Sequence, residues 1–258
     1  MTGGLVGVML LVVLGAAARG TWSPCGLSMV SAINPLSERS RGNRYWLTTL
    51  WFIAGATVGG TGLGLGGAAL AFLLRPLADQ RAAVLIVASI ASLVTLAADL
   101  RVAGFHLPLH PRQVNELWLM RYRRWLYAAG FGVQIGVGFA TYIMTAATYL
   151  VIVLVGLTGS PAVALLAGVL FGLVRGLAVL LSCRCRTGSA LQRLHARLSR
   201  LEPASMRMML LIELAAAITF GAAAGSTAAI FVGVVAAGLL VPGLATRLRR
   251  VRVVESIT

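Results

Sequence analysis

The chain has 258 residues, of which 59% are hydrophobic and 11% charged, and its mean hydropathy is +0.90. A soluble domain carries about a quarter charged residues, so this composition excludes one and points to an integral membrane protein. The net charge of +15 comes from arginine alone, because the sequence has no lysine, and the arginines fall between apolar blocks. That placement reads as membrane topology, and no nucleic-acid partner is expected.

Six apolar blocks follow one another: Gly3–Ile33, Tyr45–Leu74, Ala82–Ala103, Trp125–Leu157, Pro161–Cys183 and Met206–Ala245. The chain opens with Met1–Leu14 and a small-residue run at Ala16–Ala18, but no basic residue precedes the apolar stretch, so the N-terminus is expected to be retained. As straight helices the first and fourth blocks would be about 45–50 Å long, against a hydrocarbon core of about 30 Å. They are expected to tilt, break or re-enter. Pro24 supplies a break in the first, whereas the fourth has only Gly130, Gly132, Gly136 and Gly138 to weaken it. The second and fifth blocks share Ala-Gly-x-x-x-Gly, at Ala54-Gly55…Gly59 and Ala167-Gly168…Gly172, a spacing common in packed membrane helices. The last block would reach about 60 Å as one helix, so it is expected to turn near Gly225-Ser226. That makes seven spans.

Arginines cluster after the first, third and fifth blocks and again in the tail at Arg247, Arg249, Arg250 and Arg252. The positive-inside rule then puts the N-terminus outside and the C-terminus in the cytoplasm, which an odd number of spans requires. The expected architecture is an all-α polytopic bundle in the plasma membrane, one transmembrane domain over residues 1–258. It divides into repeat halves 3–103 and 125–225 of opposite orientation, an extra span 227–245 and a basic tail 246–258. Carriers with such inverted 3+3 repeats build their site from broken helices at the repeat interface.

Few residues could carry chemistry. Pro24 frees backbone carbonyls deep in the first block, which are tolerated in a membrane only inside protein or beside water. Cys25 at that break is either a reactive or substrate-site thiol or a small apolar group packed at a kink. Cys183 and Cys185 flank Arg184, and the arginines around them would depress their thiol pKa values. Intramembrane charges are costly and mark function by default: Arg19, Asp99, Arg175 and Glu213 qualify. Asp99 lies near the inner end of its block, within reach of solvent or Arg101. Arg175 and Glu213 sit at matching depths on consecutive elements and are expected to form an ion pair. Ala190–Leu201 spaces Leu191, Leu194, Leu198 and Leu201 helically between arginines and reads as a basic amphipathic helix on anionic lipid. The connection Pro108–Arg124, with His110 and Trp118, reads as an inner loop with aromatic anchors. No phosphate-binding glycine motif, paired carboxylates or Ser/His/Asp set is present, so neither a hydrolase nor an ATPase is indicated. No cofactor or metal is predicted.

The stretch "SPCGLSM", Ser23–Met29, after a glycine-rich first span, resembles the Ser-Pro-Cys-x-Leu-Pro signature of transmembrane thiol–disulfide carriers of the CcdA/DsbD type, often tied to cytochrome c biogenesis. The block order and the three-plus-three plan are similar over roughly the first 225 residues. The resemblance implies a thiol–disulfide oxidoreductase-like electron carrier in which Cys25, supported by Ser23 and Pro24, passes reducing equivalents from a cytoplasmic thioredoxin-like donor to a thiol acceptor outside. The chain departs from the pattern at Met29, where the motif has its second proline. It departs again at Gly130–Leu150, which has no cysteine to complete an intramembrane disulfide. The alternatives are a secondary transporter of a small solute without thiol chemistry, using Arg19, Arg175 and Glu213, and a structural membrane subunit.

Overall fold

The computed structural model describes residues 3–108 and 122–239. His110, Trp118 and the basic tail lie outside the described residues.

The first apolar block is broken where Pro24 predicts. Helix α1 (Gly3–Arg19) ends in a single 3-10 turn at Gly20–Trp22. Ser23 then takes an extended conformation and caps α2 (Pro24–Ala32), its Oγ accepting from the Gly26 N–H at 3.0 Å. Proline at the first helical position loses nothing, since its missing N–H would have had no partner in the helix. After a short α3 (Pro35–Ser40), capped by Asn34, α4 (Tyr45–Leu73) runs unbroken. A one-turn α5 (Arg75–Ala78) leads into α6 (Arg81–Leu100).

The fourth block is broken too. It forms α7 (Arg124–Val137), a non-helical segment over residues 138–146, and α8 (Ala147–Leu157). Helix α9 (Pro161–Leu177) continues as a 3-10 turn through Ser182. The last two helices are α10 (Gly188–Ala224) and α11 (Ser226–Leu239). They are separated at Gly225, whose φ of +139° is one that L side chains rarely adopt, so the expected turn falls in place.

Five helical stretches among the described residues are long and apolar enough to cross a membrane: Leu5–Trp22, Tyr45–Leu73, Arg81–Leu100, Pro161–Ser182 and Gly188–Ala224. The shortfall from seven falls on the split fourth block and on Ser226–Leu239, both built of shorter apolar helices. The outer face is apolar, with Trp46, Leu50, Val58, Leu65 and Phe72 all exposed, as a surface in contact with lipid tails must be. The protein is an all-α polytopic membrane bundle.

One expectation is corrected. Ala190–Leu201 is no separate surface helix but the first part of α10, which runs on through Pro203. Its leucine face meets protein: Leu198 is buried, and its carbonyl accepts from Trp22 Nε1 at 2.8 Å. Leu201 and the Arg193, Arg197 and Arg200 side are exposed.

Helix α4 is the axis of the bundle, and glycine sets its seams. Gly55 and Gly59 press on α7, opposite Gly132 and Gly136, while Gly60 and Gly64 press on α9, opposite Gly168 and Gly172. A methyl at Gly55 would strike the Ala129 carbonyl, and one at Gly168 the backbone of Gly64. Such close backbone approach is how membrane helices gain contact when lipid is as apolar as their own side chains. The two Ala-Gly-x-x-x-Gly stretches therefore serve different seams.

Candidate functional site

The two helix breaks meet at one cation. Arg175, in the last turn of α9, is buried, and its guanidinium lies against Gly20 in the first break, where a methyl would overlap Nη1 and Cζ. Its Nη2 donates to Thr141 Oγ1 of the second break across a long 3.5 Å. The Phe171 ring stands 5.6 Å from Cζ. Nε has no hydrogen-bond partner, and no carboxylate among the described residues lies within 4.0 Å of the group. A charge left in hydrocarbon costs at least about 2.5–3.5 kcal/mol, so an uncompensated guanidinium here is an unusual expense. Beside it is a cavity of about 10 Å³ lined by Gly20, Thr21, Gly26, Met29, Ile135, Arg175 and Ala178, room for about one water.

The predicted ion pair between Arg175 and Glu213 does not form. Glu213 on α10 is fully buried with both carboxylate oxygens unpartnered, and its polar neighbours are Thr95 and Asp99 of α6. Matching depth fixes how far along a helix a residue sits but not which way it faces: Arg175 faces the breaks and Glu213 faces α6. Arg19 finds its carboxylate elsewhere, though its Nε has no hydrogen-bond partner. It bonds Glu202 at 2.7 Å and Ser205 at 3.2 Å on α10, with its guanidinium 6.0 Å from the Trp22 ring.

Asp99 has a sharper role than its position suggested. Its Oδ1 accepts from the Ala146 N–H at 2.7 Å, and its Oδ2 accepts from the Thr145 hydroxyl. It thus holds the start of α8 from a different helix, favourably placed against the positive end of that helix.

Cys25 is buried one residue past the proline, and Arg175 is within its electrostatic reach. None of the three cysteines is in a disulfide. The second break, residues 138–146, holds no cysteine. Just past the 3-10 turn that follows α9, burial pushes the Cys185 thiol up, Cys183 adds to the rise, and Arg193 only partly offsets them. The expected depression by arginine is therefore reversed there.

Sequence reasoning missed Glu38. It is fully buried between α3, α4 and α7, accepting from Tyr127 at 2.9 Å, Thr48 at 2.6 Å and Arg41 at 3.0 Å. The available signal was a single acid inside the arginine-rich run Ser37–Arg44. With its oxygens fully bonded, it ties three elements together.

These features define a polytopic membrane protein with a polar centre between two broken helices. No protein-family model matches the chain, and no solved structure matches it. It is similar to methylamine utilization protein MauF of Paracoccus denitrificans, 30% identical over 181 residues that cover 66% of this chain and 63% of the relative. It is likewise similar to MauF of Paracoccus versutus, 31% identical over 187 residues covering 67% and 64%. The chain thus spans just under two thirds of the length of these relatives.

Proposed function

We propose that this protein is a membrane carrier that passes a small solute between its two helix breaks without thiol chemistry. The observation that carries this reading is the convergence of both breaks on one buried cation that has no carboxylate beside it among the described residues. Broken helices facing each other near the middle of a bundle are where carriers of inverted-repeat plan hold their substrates. Within that plan the repeat halves are residues 3–103 and 125–225, the N-terminus is outside, and Ser226–Leu239 begins the seventh span. The CcdA/DsbD-like stretch Ser23–Met29 supports the architecture. Thiol exchange is left out because residues 138–146 hold no cysteine to complete the pattern of the thiol–disulfide carriers. The two relatives are named for methylamine utilization, and the role we assign is that of a membrane component in such a system.

The test is the accessibility of Cys25 in a variant carrying Cys183→Ser and Cys185→Ser, in vesicles of both orientations. A carrier exposes the first break to each side in turn, so a membrane-impermeant maleimide should label Cys25 slowly from either side. Labelling only after denaturation would leave a packed kink in a structural subunit.

A further inference from the structure

We infer that Arg175 is the binding residue for a small anion, a carboxylate or an inorganic oxyanion, and that this anion is the solute. The inference rests on the carrier reading and adds the substrate class. Three observations carry it. The guanidinium is buried with no carboxylate within 4.0 Å among the described residues, and its Nε, like that of Arg19, has no hydrogen-bond partner. It borders a cavity of about 10 Å³. Both chain breaks reach it, one through Gly20 and the other through Thr141.

A guanidinium is planar, permanently charged and forked, which matches an oxyanion better than any other ligand. Arg19 is the contrast within the same molecule: equally buried, but already bonded to Glu202. Gly20 lets the guanidinium lie against the backbone of the first break, and Gly26 lets α2 close on Gly20 and Thr21. As it stands the cavity holds about one water, so a carboxylate enters only as the breaks part, and loading is coupled to opening. The Thr141 hydroxyl, at 3.5 Å from Nη2, is near enough to bond an anion held there. A methylammonium cation has no place beside Arg175.

The experiment uses the full chain in nanodiscs, titrated separately with formate, acetate, nitrate, phosphate and methylammonium and read by calorimetry and thermal melting. At least one of the anions should bind saturably at one per chain and raise the melting temperature, and methylammonium should do neither. Arg175→Lys should weaken that binding about tenfold, because a lysine loses the fork. Arg175→Gln should abolish it. Should Arg175→Gln fail to fold, Gly20→Ala takes its place, since its methyl displaces the guanidinium and should also weaken binding. The inference is overturned if the wild type binds none of the four anions, if the Arg175 and Gly20 variants bind as the wild type does, or if methylammonium competes for the site. Two-sided labelling of Cys25 without anion binding would leave the carrier standing and remove the substrate class. Anion binding with one-sided labelling would do the reverse.

Discussion

The two breaks solve one problem in different ways. The first is short and self-contained: a proline starts α2, Ser23 caps it, and the Ser23 hydroxyl also donates to the Gly20 carbonyl at 2.7 Å, so residues 20–26 satisfy one another. The second has no proline, extends over residues 138–146, and depends on Asp99 from α6 to hold Thr145 and Ala146. In a membrane both solutions are needed, because an unpaired backbone group has no water to turn to. A break satisfied from within is rigid. One satisfied by another helix can be released by moving that helix, which makes the second break the moving side of the proposed carrier.

The comparison can be broken most easily at Asp99. Asp99→Leu removes two charge-assisted hydrogen bonds and should cost about 3 kcal/mol or more, read as a lower melting temperature in detergent. An unchanged melting curve would show that the second break holds itself. Next in size is Gly26→Ala. Its methyl would land on the Thr21 and Gly20 backbone, and overpacking of that kind should cost about 2 kcal/mol. A neutral result would mean the first break is looser than described.

Ser23→Ala should cost about 1 kcal/mol, the usual loss of an N-cap, well below Asp99→Leu. If Ser23→Ala proves the costlier of the two, the contrast between the breaks is inverted. Pro24→Ala should cost only about 0.5 kcal/mol, through a less restricted unfolded chain, because Ser23 and not the proline ring satisfies the turn. The smallest effect concerns Arg175 and Glu213. With no shared bond, Arg175→Leu and Glu213→Leu should be additive to within about 0.5 kcal/mol in the double variant. Strong rescue in the double variant would restore the ion pair.

The difference between the breaks also explains what was legible in the sequence. The Pro24 break and the Gly225 turn are local: each follows from one residue's backbone preference, and each appears where the sequence predicts. The second break could be inferred only from excess length, since its determinant, Asp99, lies far away along the chain. Arg175 and Glu213 were recognised as unusual by depth, but their partners depend on rotation about the helix axes, which apolar blocks without a polar face do not specify. The partners of Glu38 were illegible for the same reason, as its bond to Tyr127 joins elements distant in sequence. The continuity of α10 through Pro203 was missed because its leucine face finds Trp22 and the α1–α2 break, a surface that exists only once the bundle has formed.

The central claim is that the two breaks face each other across Arg175. It is tested most directly by placing a cysteine at Thr141 in the Cys183→Ser, Cys185→Ser background and treating membranes with a short bis-maleimide. The account predicts efficient linkage between Cys25 and the thiol introduced at position 141, seen as a changed gel mobility, and none when the thiol is placed instead at Thr158 beyond the far end of α8. Equal linkage at both positions, or linkage at Thr158 alone, would contradict it.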